Sequence, residues 1–206
     1  MKTRIKIIGD SLASGMGTSG SVVTDELLAR CNGQTFYRRS GGCGWAQLLK
    51  KEYPKLDIIN CGCDGMTSTQ ALACLRELYS PSDDTVMLLL GANDRKEVSG
   101  MDRLYRNLTA IVTEIKRDGN LPVLLTPNPA SRQNEARSDR LYHHCDVVKV
   151  VRSISLELGV PLIDIHSDIL ASGVDVESIM SGGDGNHPTD RMAALMYACV
   201  RRGLGL

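Results

Sequence analysis

The sequence predicts an α/β protein: a three-layer α/β/α sandwich built on a five-stranded parallel sheet. Three observations carry that prediction. Short apolar runs recur without the polar alternation of a half-exposed strand, as strands covered on both faces require. Stretches of helical periodicity separate them, so strand and helix alternate along the chain. The 206 residues suit one domain, taken as 1–206, and no linker, repeat or low-complexity tract divides them.

Each element follows from its own residues. Residues 4–8 form a compact apolar run that stops at Gly9. Residues 56–60 and 85–90 are similar runs ending at turn-forming residues, and 121–126 and 160–165 complete the five expected strands. Leu104, Leu108, Ile111 and Ile115 recur at helical spacing and mark one apolar stripe. Leu141, Cys145, Val148 and Val151 predict a second helix, with Gly159 as its stop. Met192, Leu195, Met196 and Cys199 predict a last one. Right-handed crossovers between parallel strands then give helices on both faces. Ligands of such sheets bind beyond the carboxyl ends of the strands, near the point where strand order reverses.

Composition narrows the function. The 24 Lys and Arg balance the 24 Asp and Glu, so no net field favours nucleic acid or an anionic membrane. One Phe and one Trp are too few for a base-stacking platform, so no nucleic-acid partner is expected. The amino-terminal MKTRIKIIGDS holds too short an apolar stretch for a signal-peptide core, and no segment nears the roughly 20 apolar residues of a membrane helix. No membrane insertion and a cytoplasmic location are therefore expected. Seven cysteines, at 31, 43, 61, 63, 74, 145 and 199, read as free thiols of a reducing compartment. The Cys61-Gly62-Cys63 spacing lacks a second pair to answer it, so no metal site is expected.

The strand ends carry the chemistry. Gly9-Asp10-Ser11-Leu12 follows the first strand, Asn60-Cys61-Gly62-Cys63-Asp64-Gly65 the second, and Gly91-Ala92-Asn93-Asp94 the third. Asp184-Gly185-Asn186-His187-Pro188 lies on a loop before the last helix. A serine hydroxyl becomes a strong nucleophile only when a base within hydrogen-bond reach takes its proton. Histidine is the usual base, and a carboxylate fixes its tautomer and stabilises the imidazolium. Asp184 and His187, three residues apart, let one tight loop present both groups to Ser11. Gly65, through a closely approaching backbone N–H, and Asn93, through its amide, meet the need for oxyanion donors, with the N–H of Ser11 as a third. Taken singly, each motif is an ordinary turn or helix cap; together, at successive strand ends, they form a site.

These four blocks resemble, in order and spacing, the SGNH hydrolases, the GDSL lipase/esterase superfamily, over nearly the whole chain. The resemblance implies a flavodoxin-like sheet and a Ser11, His187, Asp184 catalytic triad. It also implies an oxyanion hole from Ser11, Gly65 and Asn93, acting without metal or organic cofactor on a small-molecule ester. Within that family the small size and polar loops favour a short acyl group, acetyl above all, on a polar alcohol such as a sugar. Lysophospholipase, thioesterase and acyltransferase activities, and a non-catalytic acyl-sugar-binding module, stand as alternatives, and the oligomeric state is left open. Two departures stand out: Asp64 sits before the oxyanion glycine where small residues are common, with Gly62 as an alternative donor, and the connection 15–44 is long.

Other residues have plainer expectations. Asp10 should order the nucleophile turn by accepting backbone hydrogen bonds, and Asp94 should brace the Asn93 loop. Trp45 should be a core anchor. His143 and His144, adjacent on a helix, point apart and do not make a metal pair, and His166 ranks below His187 as the base. Arg38 and Arg39 read as solvated surface, and 126–140 as a polar surface loop over the site.

Overall fold

The computed structural model describes residues 3–206, so Met1 and Lys2 of the amino-terminal stretch lie outside the described residues. Strand β1 (Arg4–Gly9) runs into a single turn of helix, α1 (Ser11–Ser14). A hairpin of β2 (Val22–Cys31) and β3 (Gln34–Ser40) follows, then α2 (Trp45–Glu52) and β4 (Asp57–Gly62). Helices α3 (Ser68–Ala73) and α4 (Leu75–Leu78) lead to β5 (Thr85–Leu89). A 3-10 turn at Asp94–Lys96 precedes α5 (Gly100–Arg117), β6 (Leu121–Leu125), α6 (Arg132–Glu135), α7 (His144–Leu158) and β7 (Leu162–Ile163). Helices α8 (Ile165–Ala171), α9 (Val176–Met180) and α10 (Asp190–Gly203) end the chain.

Among the described residues, five strands form a parallel sheet in the order β4-β1-β5-β6-β7, and β2 and β3 pair separately as an antiparallel ribbon. The order reverses between β1 and β5, the place where such sheets bind ligands. Alternate strand residues face opposite sides. Ile8, Val86, Leu88 and Leu124 enter one core with α3, α5, α7 and the ribbon residues Ala29, Cys31 and Phe36. Ile5, Ile7, Met87, Leu89, Val123 and Leu125 enter the other with α2, α8 and α10. This is the α/β/α sandwich the sequence predicts. Trp45 is fully buried in the second core, and its indole N–H donates to Leu12 O at 3.0 Å, tying α2 to the nucleophile turn.

Three details go beyond or against expectation. The connection 15–44 is largely a β-ribbon, closed by Asn32-Gly33, where both residues take positive φ (49° and 80°) as a tight hairpin demands. Helix α7 begins at His144, where Asp146 accepts from the His143 amide at 3.0 Å. Leu141 therefore precedes the helix and is 53% exposed, while His144, Val147, Val148, Val151 and Ile154 form its buried side. The polar segment after β6 starts buried at Thr126 and Asn128 and becomes exposed only beyond Ser131. No helix among the described residues is long and apolar enough to cross a membrane.

Candidate active site

The turns after β1, β4 and β5 and the loop before α10 converge at the carboxyl edge of the sheet. Asp10 makes the first turn rigid. Its carboxylate accepts from the Leu12 amide at 2.9 Å, capping α1, and from the Ala92 amide of the β5 turn at 3.3 Å. Ser11 is thereby held at the first position of α1, almost fully buried.

Loop 184–187 comes to meet it. His187 Nε2 lies 2.9 Å from Ser11 Oγ, and His187 Nδ1 lies 2.6 Å from Asp184 Oδ2. The other Asp184 oxygen accepts the backbone N–H groups of Asn186 (2.9 Å) and His187 (2.8 Å), so the loop folds around its own carboxylate. Partial burial opposes ionisation of Asp184, but these two amides and the adjacent imidazole outweigh it and hold the carboxyl below its ordinary value. The group that orients the imidazole is therefore anionic. Ser11 and the distant Asp184–His187 pair thus form one hydrogen-bonded chain.

Asn93 follows the turn at Gly91. Its Nδ2 donates to Met66 O at 3.0 Å, and its Oδ1 accepts from Lys96 Nζ at 3.1 Å. The amide orientation is thus set from both ends, leaving the second N–H of Nδ2 available. Asp94 is buried and accepts from the Ser68 amide (3.1 Å) and hydroxyl (2.5 Å), bracing the Asn93 loop against the start of α3. Gly65, with φ of 79°, lies exposed in the intervening turn. Asn60 links that turn to α1: its Nδ2 donates to Ala13 O at 2.8 Å and its Oδ1 accepts from the Gly62 amide at 2.9 Å.

Asp64 is engaged by its own set of partners. It accepts from Ser14 Oγ at 2.6 Å and, on its other oxygen, from Arg39 Nε (3.0 Å) and Nη2 (2.6 Å). Arg38 donates to Asn60 O at 2.5 Å and pairs with Glu26. The two arginines are therefore not the solvated surface expected of them. They moor the β-ribbon to the turn that carries Gly65. His143 caps α7 beside Glu135, while His144 is buried with Nδ1 on Asn128 O at 2.7 Å. Burial, reinforced by the Arg95 charge, pushes His144 far below its ordinary value and keeps it neutral. His166 lines a separate cavity of about 470 Å³ with Glu135, His143 and Cys145. Among the described residues no cluster of His, Cys, Asp or Glu is arranged to hold a metal ion.

Sequence reasoning missed Arg95. Its guanidinium is completely buried and donates to Ala92 O (3.3 Å), Glu135 (3.1 Å) and Asn186 Oδ1 (2.9 Å). Burial lowers it to about 10, against the pull of Glu135. Its signal in the sequence is a cation directly after Gly-x-Asn-Asp, a position the fold buries.

A doubly covered parallel sheet with serine, histidine and carboxylate meeting at its switch point is an arrangement that serine hydrolases use. The sequence model of the GDSL-like Lipase/Acylhydrolase family matches residues 7–195, and the chain belongs to that family. It is accordingly a carboxylic ester hydrolase. No curated protein sequence matches it. Solved structures share its fold at low identity. The acetylxylan esterase Axe2 from Geobacillus stearothermophilus is 21% identical, with TM-score 0.71, covering 100% of this chain and 97% of its own. LAE5, an alpha/beta hydrolase from the metagenome of Lake Arreo, is 18% identical, with TM-score 0.72 and coverages of 98% and 95%. A G-D-S-L family lipolytic protein from Veillonella parvula is 16% identical, with TM-score 0.72 and 97% of each chain covered.

Proposed function

We propose that this enzyme is a serine esterase that removes short acyl groups, acetyl above all, from polar alcohols such as sugars, with Ser11, His187 and Asp184 as its triad. The observation that carries the reading is the Ser11–His187–Asp184 hydrogen-bonded chain, with distances of 2.9 and 2.6 Å. His187 Nε2 takes the Ser11 proton as Oγ attacks the acyl carbon. The Ser11 and Gly65 amides and the free N–H of Asn93 receive the oxyanion. Collapse of the tetrahedral intermediate expels the alcohol, which takes the proton from His187. Water then adds to the acyl-enzyme by the same route, returning a proton to Ser11 and releasing the acid. No step calls on a metal or organic cofactor.

The acetyl-sugar assignment draws on the likeness to Axe2, an acetylxylan esterase, and on the polar loops around the site. The seven cysteines support a cytoplasmic setting. The test is turnover of p-nitrophenyl esters from acetyl to decanoyl, and of acetylated xylo-oligosaccharides, by wild type and Ser11→Ala. Activity should be greatest on acetyl and fall by about 10⁴ or more in the variant. Unchanged activity in Ser11→Ala would remove Ser11 as nucleophile. Greater efficiency on long acyl chains or lysophospholipids would replace the acetyl assignment with a lipolytic one.

A further inference from the structure

We propose that Arg95 is a positioning residue whose guanidinium sets the placement of the Asp184–His187 loop relative to the Asn93 amide. This rests on the esterase reading above. Arg95 has one donor on Ala92 O, next to Asn93, and another on Asn186 Oδ1, next to His187. One planar group therefore joins the two sides of the site, each a single residue away from the group that acts. Asn186 passes the constraint on, because its own amide donates to Asp184 Oδ1 at 2.9 Å and its carbonyl accepts from Asn128 at 3.3 Å. The Arg95 carbonyl accepts from the Leu141 and Tyr142 amides, and Glu135 bonds both Arg95 and the His144 amide, so the third wall is tied in as well.

The chemistry of the residue fits this role. An arginine buried without any exposed surface is costly unless every donor finds a partner. The rigid guanidinium reaches the three acceptors from three separate nitrogens, whereas a lysine's donors all leave one nitrogen. Glu135 alone would satisfy the charge. The bond to the neutral Asn186 adds little to charge balance, but it is the bond that reaches the loop of His187.

Catalysis responds to such placement because His187 must meet Ser11 Oγ while the oxyanion meets Asn93. A misplacement of an ångström raises the barrier more than it weakens substrate binding. The experiment compares Asn186→Ala, which keeps the Arg95–Glu135 pair, with Arg95→Lys and with the double variant. Asn186→Ala should lower kcat about ten- to a hundredfold with KM nearly unchanged. The double variant should be no worse than the weaker single one, because both remove the same link. The low-field proton resonance of the His187–Asp184 hydrogen bond should shift or broaden in Asn186→Ala. Wild-type kcat and an unmoved resonance in Asn186→Ala, or losses that multiply in the double variant, would overturn the proposal. Loss of the Ser11→Ala effect would instead strike the esterase reading, and the proton resonance would still report on Arg95.

Discussion

Asp10 and Asn93 show how single residues are set for different tasks. Asp10 is completely buried, and burial raises its carboxyl to about 7, with Asp94 adding to the rise and the Leu12 and Ala92 amides opposing it. The folded state therefore holds this proton more tightly than the unfolded chain does. Stability from this group is present below about pH 4, its ordinary range, and is lost as pH climbs to about 7. The loss amounts to about 4 kcal/mol. Asp10→Asn keeps an oxygen to cap Leu12 and should flatten that decline, which urea midpoints between pH 4 and 8 would reveal. An unchanged pH slope would show that Asp10 ionises without cost. Asn93 is held by Met66 O and Lys96 Nζ. Asn93→Ala should lower kcat by about 10²–10³. Lys96→Met, which removes one of the two bonds that orient the amide, should cost roughly fivefold. Equal losses in the two variants would mean that Lys96 acts on substrate directly.

Elements differ in how openly the sequence declares them. The strands are legible because parallel strands need apolar residues on both faces, and runs such as Ile5 to Ile8 and Val86 to Leu89 have no other use. Helix α5 is legible for a similar reason, since its stripe of Leu104, Leu108, Ile111 and Ile115 is wholly buried. The β-ribbon went unread although Asn32-Gly33 is a hairpin signal, because its strands carry many charges and exposed residues and so lack an apolar pattern. Leu141 matched a helical spacing by coincidence, and the capping interaction at Asp146, not hydrophobic periodicity, decides where α7 starts. The ribbon's dock depends on polar contacts as well as Phe36. Asp64→Ala would leave the half-buried Arg39 without its carboxylate and should cost about 1–3 kcal/mol in the urea midpoint. Amide exchange should quicken across β3. Unaltered exchange there would mean the apolar anchor alone holds the ribbon.

At the scale of the whole molecule, the site exists because β4, β1 and β5 are neighbours. That adjacency brings Gly65, Ser11 and Asn93 to one edge, and the loop before α10 adds His187 and Asp184 from the other end of the chain. The close contact of α1 with β4 depends on Gly62. A Cβ there would sit 2.4 Å from Ser14 N and 2.8 Å from Ala13 C, and both are backbone atoms that cannot swing aside. Gly62→Ala should therefore destabilise the fold by about 3 kcal/mol or more, seen in thermal unfolding, and disturb the Ser11 turn. A neutral result would mean that α1 can shift without harm.

The sequence by itself determined the α/β class and the five strands and singled out Ser11, Asn93, Asp184 and His187 as candidates, because periodicity and short motifs are local properties that a linear reading captures. The tertiary structure alone decided that Asp64 faces Arg39, that Asp94 reaches Ser68 and that Arg95 is buried between two loops. Charged side chains declare no partner in sequence. Their roles follow from which distant segments burial brings within hydrogen-bond reach, and in a buried setting those partners decide whether a charge braces a site or costs the fold.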